Sequence, residues 1–418
     1  MSSTVEYKSS YSTIFVLFYF IEGIVQGVPS LLFPPLLSQI FGGSYDITLW
    51  LLVYSIGNIP WSIKLIVGIF NDRWGSKKFG RRFPWIISFG IFGGIWWFIM
   101  AAYLPQDQTI YSFLALYYFM ISTGIAFADT ALDGLILDVV PKERLGKIQG
   151  ITWAMLLLGM GAGGMLLGLV FLSLNLSNVL FILTGILVIL VCILPYFIEE
   201  PPLKEVTTEE WGKDLVTVVT KKRNWKAFIY TFLGSIQAIL LLEFLKYLIL
   251  IPMGKISVTQ TILALTSGIN AEEYLAWNSI FYLAYGVGTV LGSLIAGKMG
   301  DTSRKKGVSI FYYIYIPFCA ITVIPFLFPG AALAFSFGMI FLLIFGALQG
   351  ALTVANVTVR GDLSRKYYPK LKSTFYAVLI SLMNAGQYSG TSIGAGILAF
   401  LSIFTTNFFL IYFIISVI

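Results

Sequence analysis

The chain has 418 residues; 58% belong to the AVILMFWYC set and only 11% are Asp, Glu, Lys or Arg, against roughly 25% charged residues in a soluble protein. About 240 apolar residues and a mean hydropathy of +0.86 exclude a soluble enzyme, a nucleic-acid binder and a secreted disulfide scaffold, and suffice for roughly twelve bilayer-crossing helices of ~20 residues. The net charge of +7 therefore reads as membrane topology, not as a nucleic-acid footprint.

In chain order, apolar runs at 12–34, 47–70, 84–104, 109–139, 149–173, 178–198, 226–252, 273–297, 307–328, 331–359, 373–397 and 400–418 predict an all-α membrane protein. It has twelve transmembrane helices in two pseudo-symmetric six-helix bundles. Only Lys8 precedes the first run, Glu22 interrupts it and no small-residue cleavage site follows, so it reads as a membrane helix and not a signal peptide. The longest connection, 199–225, separates an N-terminal bundle (1–198) from a C-terminal one (226–418). It opens with Glu199-Glu200-Pro201-Pro202, which ends the sixth span because proline cannot continue a helix. Val206, Trp211, Leu215, Val218 and Val219 then recur near helical spacing, which predicts a short interfacial helix, with a plain tether as the alternative. With the last turn at Thr405-Thr406-Asn407, eleven residues remain for the twelfth span, ~16 Å at ~1.5 Å per residue.

An even span count puts both termini on one side. With that side inside, 24 of the 27 Lys and Arg residues fall in inner segments, Arg360 counted among them. The bias predicts cytoplasmic termini in a multi-pass protein of the plasma membrane. Cys192 and Cys319 lie in separate apolar runs, so neither a disulfide nor a metal site is expected. There is no histidine, and proton chemistry falls to carboxylates.

The two halves echo each other. Gly68-x-x-x-Asp72-Arg73-x-Gly75-x-Lys77-Lys78 follows the second run, and Gly297-x-x-x-Asp301-x-x-Arg304-Lys305-Lys306 follows the eighth. Asp138-x-x-Pro-Lys and Asp362-x-x-Arg-Lys follow the fourth and tenth. On twelve spans, these paired loops resemble the major facilitator superfamily. That resemblance implies that Asp72, Arg73, Asp301 and Arg304 latch the cytoplasmic ends of the two bundles, with Asp138 anchoring the latch. A narrower likeness lies in Pro60-Trp-Ser-Ile-Lys64, Gly80-Arg81-Arg82-x-x-Trp85 and Asp129-x-x-x-Asp133-x-x-x-x-Asp138. This part looks like the branch of AmpG-type muropeptide permeases and acetyl-CoA transporters.

Ionisable residues inside spans are costly, at least ~2.5–3.5 kcal/mol each at mid-helix, so each suggests function. Glu22 and Gln26 lie on the first span, Lys64 on the second, and Asp129 and Asp133 share one face of the fourth. Gln237, then Glu243 with Lys246, lie on the seventh, and Gln349, Thr353 and Asn356 form a stripe on the tenth. By resemblance, spans one, four, seven and ten line a central cavity. Depth along the helices puts Lys64 level with Asp133, and the two are expected to pair. Gln26, Gln349 and Asn356 have a plainer reading as interhelical hydrogen bonds, and Glu243 with Lys246 as a local structural pair, or Lys246 as a residue snorkelling outward. Gly159-x-x-x-Gly163, Gly288-x-x-x-Gly292 and Gly386-x-x-x-Gly390-x-x-x-Gly394 permit close helix approach. By resemblance, that approach falls where spans five and eight, and two and eleven, meet across the bundles.

These features point to a secondary active transporter of a small polar or anionic organic solute, acting as a monomer by alternating access. Glu22 or Asp129 would carry a proton, or sodium in its place. No other cofactor is expected, and no G-x-x-x-x-G-K-[ST] motif is present for ATP. A membrane-embedded enzyme using Asp129 and Asp133 for magnesium lacks a second acidic motif, and a uniporter without ion coupling stays open beside it.

Overall fold

In the computed structural model, which describes residues 6–41, 46–201, 208–255, 271–323, 330–405 and 407–417, each predicted apolar run becomes a helix. The bilayer core offers no water, so each run must satisfy its backbone polar groups internally, which a helix does. The first bundle comprises α1 (Ser9–Phe41), α2 (Ile47–Ile63, resuming as Leu65–Asn71), α3 (Phe83–Ala102), α4 (Ile110–Val139), α5 (Lys142–Ser173) and α6 (Ser177–Phe197). The linker helix α7 (Thr208–Thr220) precedes the second bundle. That bundle comprises α8 (Lys222–Leu250), α9 (Ala271–Thr302), α10 (Arg304–Ile321), α11 (Ala331–Tyr367), α12 (Lys372–Ser402) and α13 (Phe408–Val417). Among the described residues, eight of these helices are long and apolar enough to cross a membrane by length and composition. Buried side chains form one cluster through the first bundle and another through the second.

Breaks in the helices shape the interior. Pro60 lacks an N–H and crowds the carbonyl four residues back. Four residues on, α2 is interrupted at Lys64, and the Leu65 amide bonds to Ser381 Oγ of α12 at 3.1 Å. A π-helical turn at Val28–Leu32, with Pro29 at its start, widens α1 against a second at Gly161–Leu167 in α5. Side chains are excluded there: a Cβ on Gly27 would strike the Met160 carbonyl, and one on Gly164 the Gly27 carbonyl.

The expected glycine stripes pack within bundles, not between them. Gly159 and Gly163 face α1, Gly288 and Gly292 face the Leu343 and Ala347 carbonyls of α11, and Gly386 and Gly390 face α8. Gly394 has no described surroundings. Between the bundles, Gly146 and Gly150 of α5 meet Gly297 and Ser293 of α9, and Gly68 of α2 meets Ala377 and Ser373 of α12.

The linker forms the expected helix. Part of its apolar face packs on the second bundle, Val218, Trp211 and Leu215 lying against Phe228, Tyr368, Leu371 and Phe375, while Val219 stays 55% exposed. Val206 lies outside the described residues. α11 continues to Tyr367, so Arg360 and Asp362, read above as connection residues, are helical.

Candidate functional site

The α2 break, the face shared by Asp129 and Asp133, and the first span converge on one buried cavity between the bundles. It is lined by Glu22, Gln26, Lys64, Asp129 and Asp133 from the first bundle and by Tyr376, Asn384, Gln387 and Tyr388 from α12. Lys64 Nζ lies 2.6 Å from Asp129 Oδ2 and 3.8 Å from Asp133 Oδ2. The expected Lys64–Asp133 pair is thus secondary, because Tyr19 OH donates to Asp133 Oδ1 at 2.7 Å and holds that carboxylate on its far side. Gln26 Nε2 donates to Glu22 Oε1 at 3.0 Å. Among the described residues, Glu22 Oε2 and Asp129 Oδ1 have no hydrogen-bond partner. Three carboxylates therefore face one ammonium in a place where each is at most 5% exposed.

A second cavity, sharing Gln387 with the first, lies in the other bundle. Here the tenth-span stripe is ordered by phenols. Asn356 Oδ1 accepts from Tyr230 OH at 3.0 Å, and Gln349 Nε2 donates to Tyr315 OH at 2.5 Å. The helix α8 carries Gln237 and Glu243, but their side chains lie outside the described residues. Lys246 does not snorkel: it is 1% exposed, with its ammonium 4.7 Å over the Tyr282 ring. The sequence reading missed Tyr230, Tyr312 and Arg360 as cavity residues. Arg360 sits four residues beyond Asn356, so it extends the same stripe, a periodicity that was available.

At the end carrying the basic loops, two related clusters join the bundles. Asp72 Oδ2 accepts from Thr374 N at 2.6 Å and from Thr374 Oγ1 at 2.8 Å, so it sits on the N-terminus of α12 in the opposite bundle. Asp301 accepts from Gly146 N at 2.8 Å and Lys147 N at 2.9 Å, near the N-terminus of α5. A helix N-terminus favours an anion through its unpaired N–H groups and dipole. Each acid has an arginine that also reaches the acid closing the fourth or tenth span. Arg82 bridges Asp72 (2.7 Å) and Asp138 (2.9 Å), and Arg304 bridges Asp301 (3.2 Å) and Asp362 (2.9 Å). Asp138 further holds Arg81 at 2.8 Å and, across the bundles, Lys372 at 2.6 Å. Among the described residues, the Arg73 guanidinium lies 5.0 Å over the Trp211 ring of α7. Burial works against the Arg82 charge, but Asp138 and Asp72 outweigh it and hold the guanidinium above the ordinary arginine range. Arg365 adds a cap across the bundles, donating to the Leu137 and Val140 carbonyls at 3.0 and 2.6 Å.

Comparisons with known proteins bear on the family and the fold. A family model described as Major Facilitator Superfamily matches residues 15–271, more than half of the chain. A probable folate-biopterin transporter 4 of Arabidopsis thaliana is 28% identical over 160 residues, covering 36% of this chain and 30% of that protein. A folate-biopterin transporter of Synechocystis sp. is 26% identical over 102 residues, covering 23% of this chain and 19% of that protein. The matches thus span less than a third of either relative's length. Among solved structures, FucP, a Major Facilitator Superfamily transporter in the outward conformation, superposes with a TM-score of 0.68 at 15% identity, covering 97% of this chain and 96% of that one. A bacterial homologue of the iron transporter ferroportin, in an outward-facing state, gives 0.61 at 15% identity with 97% and 96% coverage. At that identity the likeness concerns the fold.

Proposed function

The chain belongs to the major facilitator superfamily and is a membrane transporter, not an enzyme; we propose that it moves a small polar or anionic organic solute by alternating access, driven by protons. The observation that carries the proton is the first cavity. Three carboxylates facing one ammonium leave excess negative charge in a low-dielectric place, where an added proton or cation relieves both repulsion and desolvation. Asp129 has the ammonium, so Glu22, with one oxygen unpartnered, is the proton carrier. Sodium on the same carboxylates is the competing drive.

The interbundle bonds among the described residues run from Asn384–Trp61 and Ser381–Leu65 down to the Asp72 and Asp301 clusters. With the basic end and both termini in the cytoplasm of the plasma membrane, this arrangement is closed inside, and the two clusters act as the latch. The linker 199–225 spans the two bundles at that end, and the chain works as a monomer.

Two features bear on the solute. The names of the curated relatives favour a folate- or pterin-like compound, in keeping with the aromatic Trp61, Tyr376 and Tyr388 around the cavity. The first-half motif from Pro60 to Trp85 favours a muropeptide- or acyl-CoA-like anion, as in the AmpG-type branch. Purified protein in liposomes decides drive and solute together. Candidates that raise its melting temperature are tested for counterflow, then for uphill uptake under an inward proton gradient and under a sodium gradient. Uptake driven by sodium alone, or by neither, overturns the proton reading.

A further inference from the structure

Arg360 is 6% exposed and lines the second cavity with Tyr230, Tyr312, Asn356 and Gln387. Among the described residues no carboxylate pairs with it. Its Nη1 meets only the thioether sulfur of Met383, at 2.8 Å, and its Nε has no hydrogen-bond partner. The side chains that face it electrostatically are the phenols of Tyr376, Tyr230 and Tyr312. A thioether is a weak acceptor, and a guanidinium in a membrane interior without a counterion carries a large desolvation penalty. The first cavity has its cation matched by carboxylates; the second has a cation that no carboxylate among the described residues matches, beside a small, partly open space that a solute must widen to enter.

We propose that Arg360 is the anion subsite of the transported solute, taking the carboxylate of an organic monoanion, with the Tyr230 and Tyr312 hydroxyls and the Asn356 amide meeting its other polar groups. This rests on the transporter reading and names the solute class for it. The planar fork of a guanidinium matches a carboxylate with two parallel hydrogen bonds. A phosphate monoester would bring about two charges, and Arg360 is the only cation lining this cavity among the described residues. Gln387 lines both cavities, so the bound anion lies beside the coupling carboxylates yet on a different bundle. The solute is thereby held on one bundle and the proton on the other, and each load spans the surface along which the bundles rock.

The test uses the purified full-length chain in detergent at fixed ionic strength. Sodium benzoate is the probe, benzamide its neutral isostere and phenyl phosphate the dianion. Benzoate is expected to raise the melting temperature of the wild type, and benzamide to leave it unchanged. Arg360→Lys keeps the charge without the fork and is expected to need ~10–100-fold more benzoate for the same shift. Arg360→Leu is expected to lose the shift while melting no lower than the wild type without ligand, since an unpaired buried charge has been removed. No benzoate shift, an equal benzamide shift, or a benzoate shift retained in Arg360→Leu overturns the proposal. A stronger response to phenyl phosphate overturns the carboxylate assignment. If Arg360→Leu fails to fold, Arg360→Lys decides, and an unchanged benzoate dependence overturns it. Uptake in liposomes separates the two readings. Benzoate stabilisation without uphill transport removes the coupling proposal alone, and uphill transport without benzoate stabilisation removes this one alone.

Discussion

Lys64 Nζ stands 2.6 Å from Asp129 Oδ2, beside the helix break whose Leu65 amide is bonded to Ser381 of the other bundle. The ammonium of the first cavity is therefore fixed at a point where the two bundles touch. Either charge alone in this layer is expensive: Lys64→Met strands Asp129, and Asp129→Leu leaves Lys64 only the longer, 3.8 Å contact with Asp133. Each single change is expected to lower stability by ~3–5 kcal/mol. The double mutant should recover part of it, a coupling of ~1–3 kcal/mol in melting or denaturant titration. The cycle with Asp133→Leu should give a smaller coupling, because Tyr19 and not Lys64 makes the short bond to that carboxylate. Equal couplings in the two cycles would place Lys64 midway between the acids and contradict the geometry.

Glu22 is the acid of this group that has a neutral partner, Gln26, and one oxygen with none. Glu22→Gln mimics the protonated form at little cost in volume. Uphill accumulation should be abolished, with solute counterflow kept within about an order of magnitude, since exchange needs no net proton movement. Full accumulation by this variant in liposomes would take Glu22 out of the coupling step.

The sequence was informative where one physical cause dominates. Apolar run length predicts the twelve helices because a continuous apolar run of ~20 residues satisfies its own backbone in lipid as a helix, and the basic bias identifies the end where Asp72 and Asp301 later meet their partners. The polar positions Glu22, Lys64, Asp129 and Asp133 stood out because charges are rare in spans, and the structure gathers all four in one cavity. Partner choice was not legible. Lys64 prefers Asp129 because of a break after Pro60 and a phenol on Tyr19, both of which act through three-dimensional placement. Arg82 reaches Asp72 because the turn closed by Gly80, at φ +82°, folds the loop back on itself. Glycine spacing marks a close approach but does not say which neighbour approaches, which is why the stripes of α5, α9 and α12 were assigned to the wrong contact.

The basic-end clusters predict a conformational bias. Asp72→Asn replaces a carboxylate on the α12 N-terminus, and Asp301→Asn does the same near that of α5. A charge in such a partly buried position contributes ~1–2 kcal/mol, so each change should raise the population open at this end by ~5–30-fold. Ser381→Cys, at a residue 2% exposed on the interbundle contact, reports this opening. Maleimide labelling of that cysteine should speed up in either acid variant. Unchanged labelling in both would make the loops topological signals without a latching function.

The two contacts made by the glycines of α5 separate folding from gating. A Cβ on Gly159 would run into the Phe20 carbonyl of α1 in the same bundle, a contact that rocking of the bundles as rigid bodies would leave intact. A Cβ on Gly150 would come within 2.7 Å of the Ser293 carbonyl oxygen and 2.8 Å of Gly297 Cα, both on α9 of the opposite bundle. Backbone atoms on either side cannot turn away as a flexible side chain can, so both substitutions force helices apart, at ~1–3 kcal/mol of overpacking. The two penalties fall on different equilibria. Gly159→Ala should lower the melting temperature and leave Ser381→Cys labelling nearly unchanged relative to the folded fraction. Gly150→Ala should leave melting nearly unchanged, because the bundles relieve the clash by separating at the basic end. Labelling should then rise ~5–150-fold as the closed population falls. The effect of Gly150→Ala should also be less than additive with Asp72→Asn, since a latch already opened has little closure left to lose. A lower melting temperature for Gly150→Ala with unchanged labelling would mean that α5 and α9 stay packed in both conformations, and the pivot of the motion would then lie at this contact.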